Sequence, residues 1–92
     1  MTTICLHCIV SGRVQGVFYR DSTRKKAIEL GVNGWIKNRA DGRVELVACG
    51  ERHEVEQLQQ WLWKGPLLAS VSEVTAKEVP CEHHSGFTIS ND

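Results

Sequence analysis

Residues 34–48 of this chain read GWIKNRADGRVELVA, and this stretch decides the fold. Two runs of strand-forming residues flank an Asp-Gly pair, Asp41-Gly42, in the middle of the stretch. An Asp-Gly pair between two such runs is a strong local signal for a β-hairpin. The sequence therefore predicts an antiparallel hairpin at the centre of the chain.

A helix-like segment lies on each side of this hairpin. Before it, residues 21–30 read DSTRKKAIEL, with apolar residues on one face and a stop at Gly31. The first three residues of this segment are all good helix caps, so the helix is predicted to start there. After the hairpin, residues 54–64 repeat apolar side chains at helical spacing and end at a Gly-Pro pair.

Strand-like runs lie outside the two helices. Residues 4–11 alternate, with Ile4, Leu6, Cys8 and Val10 on one face, and further runs follow at residues 71–79 and 87–89. The resulting order is β-α-β-β-α-β with a possible extra edge strand. It predicts an α+β, ferredoxin-like split β-α-β fold: an antiparallel sheet of four to five strands with two helices on one face. A single domain is expected over residues 1–92.

Composition and charge exclude several classes of function. Eleven Lys and Arg residues balance eleven Asp and Glu residues, and a zero net charge does not favour a nucleic-acid surface. An RNA-binding module of the same fold would need aromatic residues in a central-strand motif that VQGVFYR does not match. The sequence contains no apolar segment long enough for a membrane span, so a cytoplasmic protein with no membrane partner is expected. A net charge of zero is nevertheless compatible with a single local anion-binding site.

Residues 12–20 read GRVQGVFYR and lie between the first strand and the first helix. Gly12 and Gly16 permit backbone angles that let a tight loop turn several N–H groups inward, as in an anion-binding nest. The start of the following helix adds further N–H groups, and the guanidinium of Arg20 can hold two phosphate oxygens at once. The pattern is compatible with a phosphate site, although a simple turn with a surface arginine is an equally good interpretation.

Asn38 lies near the end of the strand that enters the hairpin. In a β-α-β unit the two strands run parallel, so their ends emerge at the same edge of the sheet. This arrangement brings Asn38 toward the loop that carries Arg20. An amide can hold a water molecule in a chosen orientation, but asparagine is also common before a turn.

Together, GRVQGVFYR at 12–20 and GWIKNRADGRVELVACG at 34–50 resemble the paired signatures of the acylphosphatase family, and the resemblance covers essentially the whole chain. The resemblance implies hydrolysis of small acyl phosphates to a carboxylate and inorganic phosphate, without a metal or other cofactor. It assigns phosphoryl binding to Arg20 and to the loop, and positioning of the attacking water to Asn38. The residues of the predicted binding loop are Gln15, Gly16, Val17, Phe18, Tyr19 and Arg20.

Two further expectations and one alternative accompany this resemblance. The protein is expected to act as a monomer, and Asp21 is expected to cap the helix rather than to act as a base. Arg13 could add positive potential to the mouth of the site or point into water. The alternative function is a non-catalytic phosphate-binding or regulatory module of the same fold.

The four cysteines suggest one cross-link and no zinc site. Cys5 and Cys8 are three residues apart on a strand, so they point to opposite faces and cannot readily share one metal ion. In the predicted strand order, Cys5 and Cys49 lie on the same face of neighbouring antiparallel strands. They are therefore expected to lie close enough for a disulfide under oxidising conditions, while two reduced thiols remain the alternative in the cytoplasm.

Overall fold

The computed structural model describes residues 2–90, which form one five-stranded sheet and two helices. The elements in chain order are β1 (Thr3–Arg13), α1 (Tyr19–Leu30), β2 (Asn33–Asn38), β3 (Val44–Glu51), α2 (Arg52–Lys64), β4 (Ser70–Val79) and β5 (Phe87–Ser90). The strand order across the sheet is β4-β1-β3-β2-β5. This arrangement confirms the predicted ferredoxin-like fold.

The sheet is mixed rather than antiparallel throughout, which corrects one detail of the prediction. Strands β1 to β4 pair antiparallel, whereas the edge strand β5 pairs parallel with β2. The segment after β4 crosses from one edge of the sheet to the other before β5 begins, and the Gly34 N–H donates a hydrogen bond to the Gly86 carbonyl at 2.9 Å. No alternation pattern in the last residues specifies the direction of this short strand.

One face of the sheet carries the core, and both helices contribute to the same cluster of buried side chains. Strand β1 contributes Ile4, Leu6, Cys8 and Val10, as the alternation predicts. Burial raises the pKa of the Cys8 thiol to about 12, so this cysteine behaves as a small apolar side chain. Within residues 2–90, neither helix is long and apolar enough to cross a lipid bilayer.

Both helices begin earlier than the sequence pattern predicts. Helix α1 starts at Tyr19, with Phe18 as its N-cap, and no side chain caps it. Asp21 is therefore a residue of the first turn and not the cap, while the Thr23 hydroxyl donates to the Tyr19 carbonyl at 2.8 Å. Helix α2 begins at Arg52, immediately after β3.

The topology brings two loops to one edge of the sheet. Strands β1 and β2 both pair antiparallel with β3, so they run parallel to each other. Their carboxyl ends consequently meet at the same edge. The loop that follows β1 and the last residue of β2, Asn38, lie there together.

Cys5 and Cys49 form a disulfide between β1 and β3 on the face of the sheet opposite the helices. The two residues are direct partners in the strand register, and their Cα atoms are 4.1 Å apart. Cys8 and Cys81 have free thiols, the first buried and the second exposed. The predicted proximity of Cys5 and Cys49 is confirmed.

Loss of this disulfide is expected to destabilise the fold substantially. The cross-link joins residues 44 positions apart, and closing a loop of this size removes enough unfolded-state entropy to stabilise a domain by about 2–4 kcal/mol. The variant with both Cys5→Ala and Cys49→Ala should lose this amount of unfolding free energy in urea titrations without reductant. Cys81→Ser is the matched control and should unfold like the wild type. Equal stability of all three proteins would contradict the expectation.

Candidate active site

In the loop between β1 and α1, the sign of the backbone angle φ changes twice within three residues. Gly16 and Phe18 both adopt positive φ, 76° and 64°, on either side of Val17. Alternation of this kind can turn successive N–H groups toward one side, as in an anion-binding nest. Gly16 thus adopts a conformation that glycine favours, and the anion site itself stays a prediction.

Gly12 fixes where this loop leaves the sheet. It has a φ of 122°, and a Cβ atom at this position would lie 2.2 Å from the Ser70 carbonyl oxygen of the neighbouring strand. The register of β1 and β4 also shifts between Ser11 and Gly12. A side chain at residue 12 would therefore push β4 away and displace the start of the loop.

The N-terminus of α1 points its first N–H groups toward this loop. The first hydrogen bond of the helix runs from the Ser22 N–H to the Phe18 carbonyl at 3.0 Å. The N–H groups before Ser22 therefore take no part in the hydrogen bonds within the helix. With no side-chain cap at Phe18, the positive end of the helix dipole is not masked by the cap residue. Such an N-terminus favours an anion.

Tyr19 anchors this start of the helix to the core. Its ring is 1% exposed, and its hydroxyl donates to the Leu62 carbonyl at 2.7 Å. Burial also raises the pKa of the hydroxyl, which keeps it a neutral donor. The Tyr19 ring contacts Trp61, with the centroids 6.1 Å apart. Because Tyr19 is held inward, the positions of Phe18 and Arg20 on either side of it are fixed.

Asn38 is the last residue of β2 and lies on the same face as the buried Ile36, toward the helices. Its backbone pairs with Val44 across the hairpin. The side-chain oxygen Oδ1 is buried, and nothing in the described part of the chain donates a hydrogen bond to it. A buried amide oxygen normally has a hydrogen-bond donor, so Asn38 Oδ1 is an exception among the described residues.

The hairpin turn after Asn38 is held by charged hydrogen bonds. Arg43 donates to Asp41 Oδ2 at 2.7 Å through Nη2, and Arg39 donates to the same oxygen at 3.1 Å through Nε. Hydrogen bonds from Arg43 hold the pKa of the Asp41 carboxyl well below its usual range. These contacts keep the turn, and thus the end of β2, in one conformation.

Gln15 joins the glycine loop to this hairpin. Its amide nitrogen donates to the Arg39 and Arg43 carbonyls at 2.9 and 3.0 Å. The side chain therefore does not reach the concave side of its own loop. It sets the separation between the loop and the strand that carries Asn38.

A cavity of about 250 Å³ lies where these parts meet. Its lining residues are Val14, Gly16, Phe18, Tyr19, Arg20, Asp21 and Asn38. The structure thus brings Arg20 and Asn38, which are far apart in sequence, to one concave site. Of the predicted loop residues, Gln15 and Val17 are not part of the lining, because Gln15 binds the hairpin and Val17 is buried in the core. Arg13 also lies outside the lining and is exposed.

Two lining residues, Val14 and Asp21, were not among the residues predicted for the site, whereas Phe18 was predicted but its exposure was not. Asp21 lines the cavity and forms an ion pair with Lys25 at 3.1 Å, one turn along the helix. The start of α1 at Tyr19 moves Asp21 from the predicted cap into the first turn and toward the cavity. Phe18 is 74% exposed at the same cavity. Its position follows from the positive φ, and a phenylalanine gives no sequence signal for such a conformation.

Comparison with known proteins finds similar chains over nearly the whole sequence. A family model described as acylphosphatase matches residues 6–89. An acylphosphatase from Coxiella burnetii (strain Dugway 5J108-111) is 54% identical over 85 residues, which cover 92% of this chain and 90% of the relative.

Two solved structures extend the similarity to the fold. The structure of an acylphosphatase from Coxiella burnetii has a TM-score of 0.93 at 52% identity and covers 96% of this chain and 93% of its own. The structure of an acylphosphatase from Bacillus subtilis has a TM-score of 0.92 at 33% identity, and the match covers 95% of this chain and 98% of the Bacillus subtilis chain. The match extends over nearly the whole chain in each comparison, and the chain therefore belongs to the acylphosphatase family.

Proposed function

We propose that this chain, an acylphosphatase by family, hydrolyses acyl phosphates through attack of a water molecule held by Asn38 on a phosphoryl group held by Arg20 and the loop backbone. The products are a carboxylate and inorganic phosphate. The P–O bond to the acyl group breaks, and a new P–O bond forms to the water oxygen.

Arg20 and the loop supply the positive potential that this reaction needs. Arg20 lies in the first turn of α1 and lines the cavity together with Gly16. A loose phosphoryl-transfer transition state carries its charge on the equatorial oxygens, and fixed N–H donors and a guanidinium stabilise that charge. Because Tyr19 is anchored in the core, these donors are held in place before the substrate arrives.

One observation supports the proposal that Asn38 holds the attacking water: its side-chain oxygen has no hydrogen-bond donor among the described residues. Asn38 lines the cavity, and this oxygen, Oδ1, is buried. In this proposal, a water that donates to this oxygen directs a lone pair toward the phosphoryl group bound by Arg20 and the loop. Orienting the nucleophile in this way removes much of the entropic barrier of a bimolecular step.

The leaving group explains why strong acid–base groups are not required in this scheme. A carboxylate leaves as the anion of an acid with a pKa of roughly 4, so its departure needs little protonation. Asp21 is the carboxylate in the lining, and it is paired with Lys25. We assign it no proton transfer.

The cavity supports action on a small molecule. Its volume of about 250 Å³ fits a phosphoryl group with a short acyl segment. The zero net charge of the sequence does not favour a nucleic-acid partner.

Hydrolysis of benzoyl phosphate by the wild type in excess EDTA tests the proposed function. We expect turnover that EDTA does not lower, because Arg20 and the backbone provide the charge stabilisation. Phosphate binding without turnover would overturn the catalytic proposal and support the alternative, a non-catalytic anion-binding module.

A further inference from the structure

Phe18 occupies a position that folding alone does not explain. It is the only non-glycine residue among residues 2–90 with a positive φ, and its side chain is 74% exposed. Glycine adopts this conformation without strain, whereas a residue with a Cβ pays an energetic penalty there. An aromatic ring that is both strained at its backbone and largely in water contributes little to the core.

The backbone around Phe18 is nevertheless firmly held. Its carbonyl accepts the first hydrogen bond of α1, from the Ser22 N–H at 3.0 Å. The next residue, Tyr19, is buried and bonded to the Leu62 carbonyl. The Phe18 ring therefore projects from a fixed point at the start of the helix, and Phe18 is one of the residues that line the cavity.

The polar groups of the cavity are already accounted for in the proposed function. Arg20 and the loop hold the phosphoryl group, and Asn38 holds the water. The apolar lining that remains is Val14, Tyr19 and Phe18. Val14 and Tyr19 are each 1% exposed whereas Phe18 is 74% exposed, so Phe18 is the apolar lining residue that is accessible from solvent.

We propose that the ring of Phe18 contacts the acyl group of the substrate and makes the site prefer apolar, above all aromatic, acyl phosphates over small polar ones such as carbamoyl phosphate. This inference rests on the proposed function, because it assumes that the phosphoryl group lies against Arg20. The acyl group then extends toward the mouth, where an aromatic acyl group can stack on Phe18 or meet its edge. Burial of apolar surface between the two rings favours the aromatic substrate.

The first test measures binding and does not depend on catalysis. Two non-hydrolysable analogues of acyl phosphates are compared by calorimetry, phenacylphosphonate with a phenyl group and acetonylphosphonate with a methyl group. The wild type is expected to bind the phenyl analogue about tenfold more tightly than the methyl analogue. In Phe18→Gly this ratio should fall to about twofold or less. Glycine keeps the backbone conformation, so the variant removes the ring without adding strain.

Two variants control the interpretation. Phe18→Tyr retains the ring and should retain the ratio. Ile28→Ala removes another exposed apolar side chain of α1, one that does not line the cavity, and should also retain it. Urea titrations of all variants check that each is folded.

A second test measures kcat/KM for benzoyl phosphate and acetyl phosphate with the same variants. The ratio of the two kcat/KM values should fall about tenfold in Phe18→Gly. A wild type that hydrolyses neither substrate would overturn the proposed function, and the binding ratio would still decide the role of Phe18. An unchanged binding ratio in Phe18→Gly would overturn the present inference, even if both substrates are hydrolysed. An equal loss of affinity for both analogues would also overturn it, since it would place the ring against the phosphoryl group.

Discussion

Arg20→Ala is expected to lower kcat/KM for benzoyl phosphate by about 10³-fold and to weaken the binding of inorganic phosphate markedly. Arg20 lines the cavity from the first turn of α1, where the helix dipole adds to its charge. In the proposed mechanism the guanidinium contributes both to ground-state binding and to stabilisation of the transition state, so its removal should affect KM and kcat together.

The measurement is steady-state hydrolysis of benzoyl phosphate, with inhibition by inorganic phosphate to report affinity. Arg24→Ala is the matched control, because Arg24 is an exposed arginine of the same helix outside the cavity lining. It should retain the activity of the wild type. Arg20→Lys keeps the charge but loses the planar pair of donors, so an intermediate loss is expected. Equal activity of Arg20→Ala and Arg24→Ala would contradict the role of Arg20.

Asn38→Ala is expected to lower kcat by about 10²-fold while the affinity for inorganic phosphate changes by less than about threefold. The physical reason is that, in the proposed mechanism, the amide oxygen holds the attacking water and not the phosphoryl group. Asn38 lines the cavity, and its Oδ1 is buried with no donor from the described residues. Removal of the amide leaves the phosphate cradle intact, but the water loses its orientation.

Asn33→Ala provides the control for this variant. Asn33 is an exposed asparagine at the opposite end of the same strand, so its replacement should change neither kcat nor phosphate affinity. Asn38→Asp tests the charge at the site, because a carboxylate next to the phosphoryl group should weaken phosphate binding through repulsion. If Asn38→Ala lost affinity and rate in equal proportion, Asn38 would be a binding residue and the assignment of the water would be wrong.

The sequence predicts the scaffold well because its signals are local. Each signal specifies one short segment: the turn at Asp41-Gly42, the alternation in residues 4–11, and the glycines that end the helices. The order of these segments along the chain is compatible with only a few topologies. The pairing of Cys5 with Cys49 follows from that topology, since neighbouring strands with a common face place the two thiols opposite each other.

The parts of the site that escape the sequence depend on backbone angles and on tertiary contacts. The positive φ of Phe18 extends α1 backward to Tyr19, which turns Asp21 from a cap into a residue of the cavity lining. The hydrogen bonds from Gln15 to the hairpin carbonyls connect residues 24 and 28 positions apart. The sequence suggests that Gln15 steadies the loop through hydrogen bonds, but no pattern marks the hairpin carbonyls as its partners or the positive φ of Phe18.

Attack of water on phosphorus is the central claim of the mechanism, and isotope labelling tests it most directly. The wild type would hydrolyse benzoyl phosphate in water enriched in oxygen-18 under single-turnover conditions, and both products would be analysed by mass spectrometry. Attack at phosphorus places the heavy oxygen in inorganic phosphate and leaves benzoate unlabelled, which is the expected result. Heavy oxygen in benzoate would show that water attacks the carbonyl carbon, and it would contradict the roles assigned to both Arg20 and Asn38.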